Sequence, residues 1–388
     1  MYVRHLSLVD FRNWEAAELA LEPGACVLVG ANGQGKTNLV EAIGYVATLA
    51  SHRVASDAPL IRRGAQRALV RAAIAAGGRE LRVEIELEAG RANRARLNGN
   101  AVSRPRDVLG ALRWVLFAPE DLAIVRGDPS ERRRFLDDLA VARSPRLAGV
   151  RADYERVLKQ RASLLKTSGA ARRGGRSADL RALDAWDAQL ASHGAQLLAA
   201  RLATVRTLRP YAADAYGRVA PAGGAFALRY RTALSAALPE LDEPDPAPDP
   251  AVLEAALLAQ LAQLRPVELE RGVNLAGPHR DDLELEIATM PVRGYASHGE
   301  GWSAALALRI GSFELMRDDV AGHPGSGDPV LVLDDVFAEL DTMRRTELAR
   351  IAAKAEQAVI TAAVPADIPE ELGGARYDVD GGAVRRVR

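Results

Sequence analysis

The stretch that most constrains this chain is GANGQGKTN at residues 30–38, which directly follows the apolar run CVLV. Its glycines, lysine and threonine have the spacing G-x-x-x-x-G-K-[ST] of a phosphate-binding loop. Glycines let the backbone curl so that consecutive N–H groups converge on an anion. The helix predicted at 36–49 adds the partial positive charge of its N-terminus. A glycine-rich surface turn would also fit the loop alone, but the strand before it and the helix after it favour an α/β fold that binds phosphate.

The residue types in this loop indicate how a nucleotide is held. We expect Lys36 to reach the β- and γ-phosphates and to act in catalysis, and we expect the Thr37 hydroxyl to hold Mg²⁺. ATP and Mg²⁺ are therefore the expected ligands. The residues of the loop expected to bind nucleotide are Gly30, Ala31, Asn32, Gly33, Gln34, Gly35, Lys36, Thr37 and Asn38.

A second half of the site is indicated by PVLVLDD at 329–335, an apolar run that ends in two carboxylates as a Walker B strand does. In P-loop enzymes this strand lies beside the strand of the phosphate loop, and its carboxyl end faces the same crevice. Asp334 is then expected to hold Mg²⁺, and Asp335 to orient or deprotonate the attacking water. A buried strand that ends in an Asp-rich turn is the alternative, and the upstream phosphate loop favours the catalytic interpretation.

The stretch YASHGEG at 295–301 precedes a strong helix pattern and resembles the signature motif of ABC-type ATPases. That resemblance implies that Ser297, Gly299 and the helix N-terminus bind the γ-phosphate held by a second copy of the chain. An ordinary serine cap is the alternative. The stretch AELD at 338–341 fits the D-loop of the same enzymes, with Asp341 near the partner's site.

The length of 388 residues favours two domains. We expect an α/β ATPase head with a mixed sheet, split between residues 1–119 and 266–388, and an inserted, mainly helical lobe at 120–265. A flexible loop is expected at 167–177. The predicted strands are at 5–11, 17–22, 25–30, 69–74, 81–87, 95–97, 113–119, 225–230, 283–290, 328–335 and 357–363, and the predicted head helices are at 36–49, 301–316 and 342–356.

Charge and cysteine content limit the function classes only weakly. The 51 basic residues balance 51 acidic ones, so nucleic-acid binding depends on local patches. The single Cys26 excludes an internal disulfide. Without a signal peptide or an apolar run of membrane length we expect a cytoplasmic protein with no membrane contact. The candidates for contact with DNA phosphates are Arg132, Arg133, Arg134, Arg172, Arg173 and Arg176. For the first three, which lie beside two aspartates on a predicted helix, a solvated, salt-bridged face is the more common alternative.

Over nearly its full length the chain resembles the RecF family of bacterial recombination mediators. Two of the matching pieces, the run at 117–137 and GPHRDDL at 277–283, are much more specific than the phosphate loop and the Walker B strand. The matching pieces are LxLxDFRNW at 6–14, GANGQGKTNLVEAI at 30–43, SHR at 51–53, FAPEDLAIVRGDPSERRRFLD at 117–137, VLKQRASLLK at 157–166, WDAQLASHG at 186–194, GPHRDDL at 277–283, YASHGEG at 295–301 and LVLDDVFAELD at 331–341.

The resemblance implies an ABC/SMC-type head that forms a homodimer with ATP and binds single- and double-stranded DNA at gaps. It further implies DNA repair and replication restart with RecR and RecO, which load RecA onto DNA covered by single-strand-binding protein. By the same likeness, Arg12 and Asn13 approach the phosphates. Ser297, Gly299 and Asp341 act on the nucleotide of the other copy.

Two departures from ABC-type enzymes bear on the activity. Their catalytic Glu is replaced by the shorter Asp335, and Thr361 stands where they have a switch histidine. A weak, DNA-stimulated ATPase is therefore expected, with Glu300 in place of the usual signature Gln. Two alternatives stay open at this point: the nucleotide-binding subunit of an ABC transporter, and a scaffold that binds nucleotide without hydrolysing it.

Overall fold

A computed structural model describes residues 1–173, 181–242, 248–321 and 327–388. These residues form two compact units. The first contains Met1–Leu122, Tyr211–Gly224 and Ser297–Arg388, and the second contains Ala123–Pro210 and Ala225–Ala296. Among the described ranges, none of the helices combines the length and the apolar character needed to span a bilayer.

The elements follow the predicted order. The strands are β1 (Tyr2–Phe11), β2 (Trp14–Ala20), β3 (Gly24–Val29), β4 (Arg67–Ala76), β5 (Arg79–Glu88), β6 (Arg94–Leu97), β7 (Asn100–Ala101), β8 (Trp114–Phe117), β9 (Phe226–Arg231), β10 (Asp282–Ile287), β11 (Met290–Pro291), β12 (Val330–Asp334), β13 (Gln357–Ala362), β14 (Gly374–Asp380) and β15 (Ala383–Arg386). The helices are α1 (Lys36–Thr48), α2 (Leu122–Arg126), α3 (Pro129–Arg143), α4 (Leu147–Arg173), α5 (Arg181–Val219), α6 (Pro250–Arg271), α7 (Val292–Tyr295), α8 (His298–Ala321) and α9 (Thr342–Ala352).

One sheet of the first unit carries both nucleotide motifs. Its strand order is β15-β14-β3-β13-β12-β8, and all neighbours are parallel except the β14–β15 pair. Every residue of β12 and β13 is buried, as expected for parallel strands covered on both faces. The sequence led us to expect the Walker B strand β12 directly beside β3. In the structure β13 lies between them.

The other sheet of the first unit is antiparallel, in the order β2-β1-β4-β5-β6-β7. Its strands alternate between buried and exposed positions, so one face packs on the core and the other faces solvent. Two-residue loops close two of its hairpins, at Arg12–Asn13 and at Asn98–Gly99. The residues Asn98 and Gly99 have φ of 52° and 82°, the left-handed conformation that such tight hairpin turns require. The fold class, a mixed-sheet α/β head with a mainly helical insertion, is confirmed.

The second unit combines helices with a small sheet of order β11-β10-β9. Its extent differs from the predicted lobe at 120–265 for two reasons. Helix α6 continues through Pro266, where the sequence suggested a return to the head, and β10 pairs with β9 of the same unit. Helix α4 also runs to Arg173, so residues 167–173 are helical rather than a loop, and 174–177 lie outside the described residues.

A fully buried guanidinium ties three helices of the second unit together. Arg161 of α4 donates to Asp187 of α5 at 2.5 Å and to Glu268 of α6 at 2.6 Å. Nη1 of Arg161 donates to the side-chain oxygen of Asn274 at 2.8 Å. Because each nitrogen of the guanidinium has an acceptor and two of the three acceptors are carboxylates, the buried charge is compensated. The RecF-like runs at 157–166 and 186–194 supply Arg161 and Asp187 to this cluster.

A second group of ion pairs joins the two most specific runs, 117–137 and 277–283. Arg132 binds Asp282 with two hydrogen bonds of 2.7 and 2.8 Å, and Arg133 donates to the backbone oxygen of Asp281 at 2.8 Å. Arg201 of α5 binds Asp137 at 2.7 and 2.9 Å. Arg132 is only 3% exposed, so the expectation that it contacts DNA phosphates is wrong. The side chains of Arg172, Arg173 and Arg176 lie outside what the structure describes.

We predict that Glu268→Ala destabilises the second unit by about 3–5 kcal/mol, because it leaves the charge of Arg161 buried and incompletely paired. Hydrogen exchange of α4 and α6 measures this loss. Asp153→Ala is the matched control, since it breaks an exposed pair with Arg156 that contributes little. Equal protection of α4 and α6 in both variants would contradict the structural role of the cluster.

Candidate nucleotide site

The phosphate loop, residues 30–37, connects β3 to α1 and depends on its glycines. Gly33 and Gly35 have φ of 85° and 102°, which residues with a side chain rarely adopt. A Cβ atom on Gly35 would also lie 2.7–2.8 Å from polar atoms of Asn13 and Trp14, and one on Gly30 would lie 2.2 Å from the backbone oxygen of Val379. The backbone curl predicted from the sequence is therefore present, and only glycine fits at these positions.

Lys36, the first residue of α1, is 3% exposed and folds back into the loop. Its Nζ donates to the backbone oxygens of Gly30 at 2.8 Å and Ala31 at 3.3 Å. Gly35 at the N-cap of α1 has no side chain to accept from the amides of the first turn. The ammonium group of Lys36 and the N-terminus of α1 thus both lie at the phosphate loop, and this arrangement is suited to binding a phosphate.

The hairpin tip at Arg12–Asn13 braces this loop. The side-chain amide of Asn13 donates to the backbone oxygen of Gln34 at 3.3 Å and accepts from Asn38 at 2.7 Å. The indole N–H of Trp14 donates to the backbone oxygen of Gly35 at 3.2 Å. The predicted residue Asn13 is therefore next to the loop, and Trp14 is a supporting contact that the sequence motif did not reveal.

Arg12 is held by a carboxylate of α1, and its expected approach to the phosphates stays a prediction. Its guanidinium donates to both oxygens of Glu41 on α1, at 2.7 and 2.6 Å. Glu41 is fully buried and also accepts from Ser51 at 2.5 Å. Burial alone would raise the pKa of Glu41, but hydrogen bonds from Arg12 and Ser51 outweigh it and lower the pKa below its usual value. Arg12 is thus fixed by Glu41 of α1. Ser51, from the motif SHR at 51–53, binds the same carboxylate.

The two predicted magnesium ligands lie within hydrogen-bonding distance of each other. Thr37 Oγ1 donates to Asp334 Oδ1 at 3.2 Å, although the two residues come from distant parts of the sequence. A hydroxyl and a carboxylate are hard oxygen donors, and Mg²⁺ prefers one or two such protein ligands with the other positions left to phosphates and water. The residues present therefore fit Mg²⁺ bound together with a nucleotide.

Asp334 is buried at the end of β12, and this burial raises its pKa to about 6. The neighbouring carboxylate of Asp335 also raises the pKa, while hydrogen bonds from Thr361 and Thr37 lower it. Thr361 Oγ1 donates to Asp334 Oδ1 at 2.6 Å and accepts from the N–H of Asp335 at 2.9 Å. Thr361 is directly opposite Asp334 in the β12–β13 register, which the linear sequence does not show.

Asp335 follows β12 in a left-handed backbone conformation with φ of 51°. Such a conformation costs free energy for residues other than glycine, though Asp and Asn tolerate it best. It ends the strand and begins a short helical turn at Val336–Glu339. Together with Lys36, Thr37 and Asp334 it forms what we call the loop-side group.

The predicted signature serine is a helix cap in this chain. Glu300 N donates to Ser297 Oγ at 3.2 Å, and Ser297 N donates to Glu300 Oε2 at 2.8 Å, which is a reciprocal capping box. The hydrogen bond from the Ser297 backbone lowers the pKa of Glu300, so its carboxylate is favoured. The Ser297 side chain also hydrogen-bonds the Glu300 carboxylate and lowers its pKa further. Ser297 therefore acts as a cap in the single chain and gives Glu300 a partner, and its expected contact with a second copy's phosphate stays a prediction.

Asp341 is the N-cap of α9 and accepts from Arg344 N at 3.0 Å. Its carboxylate also pairs with the Arg344 guanidinium, which in turn donates to the backbone oxygen of Gly299 at 3.1 Å. Gly299 and Asp341 are therefore connected through one arginine. Together with Ser297, which caps the helix that carries Gly299, we call them the signature group. No sequence motif singled out Arg344.

We predict that Asp334→Asn stabilises the nucleotide-free protein above pH 6. The pKa of Asp334 is about 6 in the fold and about 3.9 when unfolded, so the wild-type fold loses stability as the pH rises between these values. Asparagine avoids this cost, and the expected gain is about 2–3 kcal/mol at pH 7.5 and about half of that at pH 5. Hydrogen exchange of β12 and β13 measures it. The exposed control Asp380→Asn changes little at either pH, and a gain independent of pH would contradict the assignment to charge burial.

Comparison with known proteins agrees with this geometry. The family model described as RecF/RecN/SMC N terminal domain matches residues 2–368. A protein of Frankia alni called DNA replication and repair protein RecF is 59% identical, with all of both chains covered. One of the same name from Streptomyces avermitilis is 56% identical over all of both chains.

Solved structures show the same fold. A structure described as the recombination mediator protein RecF-ATP in the RecFOR pathway superposes with a TM-score of 0.87 at 24% identity, covering 100% of this chain and 98% of that one. An Smc head domain from Pyrococcus furiosus superposes with a TM-score of 0.53 at 16% identity, covering 100% and 96%. On the strength of the full-length identity to its curated relatives, the chain belongs to the RecF family of DNA replication and repair proteins.

Proposed function

We propose that this chain is an ATP-dependent DNA-binding protein of recombinational repair, in which ATP joins two copies. The observation that carries the proposal is the division of the site residues into two groups. The loop-side group is built around Lys36 and Asp334, whereas the signature group is tied to Arg344 and Glu300. A triphosphate bound by the loop-side group of one copy would meet the signature group of the other.

The loop-side residues support nucleotide binding in a specific way. Lys36 and the amides of the first turn of α1 bind and orient the β- and γ-phosphates. Thr37 and Asp334 would hold Mg²⁺, which supplies neutralisation of phosphate charge when bound. Asp334 remains mostly ionised at neutral pH because its pKa of about 6 lies below 7. Asp335 would orient or deprotonate the attacking water, and its short side chain and the neighbouring Thr361 fit slow turnover.

The solvent-facing antiparallel sheet supports contact with nucleic acid. Although the whole chain is neutral, residues 67–107 contain nine arginines, four glutamates and one aspartate, and no lysine. Some of these charges neutralise each other, as Arg71 and Glu84 do at 2.6 Å. The surplus of four positive charges is a local patch of the kind that binds a phosphate backbone. This region, rather than Arg132, is the surface we expect to meet DNA.

The family assignment decides against a transporter subunit and supports partners from recombination. By the names of its relatives and by the resemblance of its motifs, we infer that the chain acts at gaps in duplex DNA. RecR and RecO are the expected partners in loading RecA onto DNA covered by single-strand-binding protein. A scaffold that binds ATP without hydrolysing it is the remaining second candidate, favoured by Asp335 and by Thr361.

We predict that ATP doubles the mass of the protein and tightens its binding to gapped duplex DNA more than to intact duplex. Light scattering and DNA binding measured on the same samples test this. Lys36→Met abolishes both effects, because the lost ammonium weakens γ-phosphate binding. A wild-type chain that stays monomeric with ATP at every concentration would overturn the proposal.

A mixing experiment gives the matched control for the shared site. Ser297→Arg places a bulky cation where the second copy's phosphate would dock, so by itself this variant binds ATP as a monomer but does not pair. A mixture of Lys36→Met and Ser297→Arg contains heterodimers with one intact site, formed by the loop of one variant and the signature group of the other. We expect the mixture to regain part of the ATP-dependent mass. No recovery would count against a site built from two copies.

We predict that Asp335→Asn keeps ATP binding and pairing but slows phosphate release at least about tenfold, since the amide cannot accept a proton from water. The dimer should then persist on gapped DNA after free ATP is removed. Phosphate release with and without gapped DNA, measured on wild type and variant, tests this role. If wild type releases no phosphate under either condition, the second candidate function, a scaffold that binds ATP without hydrolysing it, is correct.

A further inference from the structure

Arg344, in the first turn of α9, contacts both parts of the signature group. Its Nε donates to Ser303 Oγ at 2.9 Å and its Nη2 to the backbone oxygen of Gly299 at 3.1 Å, both on α8. Its Nη1 binds the carboxylate of Asp341. Since all three nitrogens of one planar guanidinium have separate acceptors, the group fixes the start of α8 relative to the start of α9.

The next residue contacts the other side of the same segment. Arg345 donates from Nη2 to the backbone oxygen of Phe337 at 2.7 Å, in the short helical turn that follows Asp335. Consecutive arginines on one helical turn therefore connect the signature group to the segment that leaves the Walker B strand. The Arg345 bond thus closes the end of the segment from Asp335 to Arg345 back onto its beginning.

The electrostatics show why Asp341 belongs to this arrangement. A guanidinium beside the N-terminus of α8 lies at the positive end of the helix dipole, which disfavours a cation. The Asp341 carboxylate bound to Arg344 offsets this repulsion. Lysine has no planar fork and cannot make the same three directed bonds. The geometry of the signature group therefore depends on arginine at this position.

We propose that Arg344 is a positioning residue that presents Ser297, Gly299 and Asp341 as one rigid surface to the triphosphate held by a second copy. This inference rests on the proposed function. The helices α8 and α9 do not depend on Arg344 alone for their packing, because Arg218 binds Glu314 of α8 at 2.7 Å and Glu347 of α9 at 2.9 Å. Shortening Arg344 should therefore loosen the signature group without unfolding the unit.

The test compares Arg344→Gln and Arg344→Lys with the control Arg350→Gln. Arg350 lies on the same helix, is more exposed and pairs with Glu347. We expect Arg344→Gln to bind ATP as a monomer within about twofold of wild type, but to pair in ATP about tenfold more weakly, which corresponds to about 1.4 kcal/mol. Arg344→Lys should recover only part of this loss. Ser303→Ala, which removes one acceptor, should give a smaller loss of pairing, and Arg350→Gln none.

Mixing two variants tests whether Arg344 acts on the nucleotide site of the other copy or only within its own chain. In a heterodimer of Arg344→Gln with Lys36→Met, the intact loop of the first variant faces the intact signature group of the second. Pairing should therefore recover. Loss of ATP binding by monomeric Arg344→Gln, no recovery on mixing, or pairing equal to wild type would each overturn the inference. If wild type itself does not pair with ATP, it is the proposed function that fails; if Arg344→Gln is unfolded, the Ser303→Ala result decides.

Discussion

The site depends on the parallel pairing of β13 with β3 on one side and β12 on the other. This pairing brings the phosphate loop, near the start of the chain, to the Walker B carboxylate near its end. Thr361 on β13 is opposite Leu28 and Asp334, and its hydroxyl holds both Asp334 Oδ1 and the N–H of Asp335. Complete burial of the central strands gives the same arrangement its electrostatic character, because it raises the pKa of Asp334.

The motifs most specific to the RecF family have a different role from the nucleotide motifs. The RecF-like runs at 117–137 and 157–166 place Arg132 and Arg161 in the interior of the second unit, each opposite a carboxylate. Buried ion pairs add little net stability compared with apolar packing, but they tolerate no unpaired member. Such pairs therefore select one arrangement of the helices, which gives a structural role to arginine and aspartate in runs with no visible catalytic chemistry.

The parts of the site that the sequence predicts are those set by local spacing. The phosphate loop, Thr37 and the two carboxylates after β12 depend on neighbours in the chain, and the structure brings Thr37 to Asp334 as expected. Residues that act through tertiary contacts were not predictable. Thr361 depends on strand register, Arg344 on the packing of α8 with α9, and the partner of Arg12 on a helix outside its hairpin. The return to the head that the sequence suggested near Pro266 does not coincide with a helix end, because helix α6 continues through this proline.

The capping box at Ser297 has a consequence for the proposed pairing. In the single chain, Glu300 supplies a carboxylate to the N-terminus of α8, the place that a phosphate would take in a dimer. In the single chain, the N-terminus of α8 therefore already has an anionic partner, the Glu300 carboxylate. A weakly charged ligand would gain little binding free energy by displacing this carboxylate. A triphosphate carries more charge, and in the proposed pair it would be held in place by the other copy's Lys36. In the proposed dimer, Glu300 and the phosphate would compete for the N-terminus of α8, and this competition would favour pairing only when the other copy already holds nucleotide. The signature group would then bind a copy that carries nucleotide in preference to free anions.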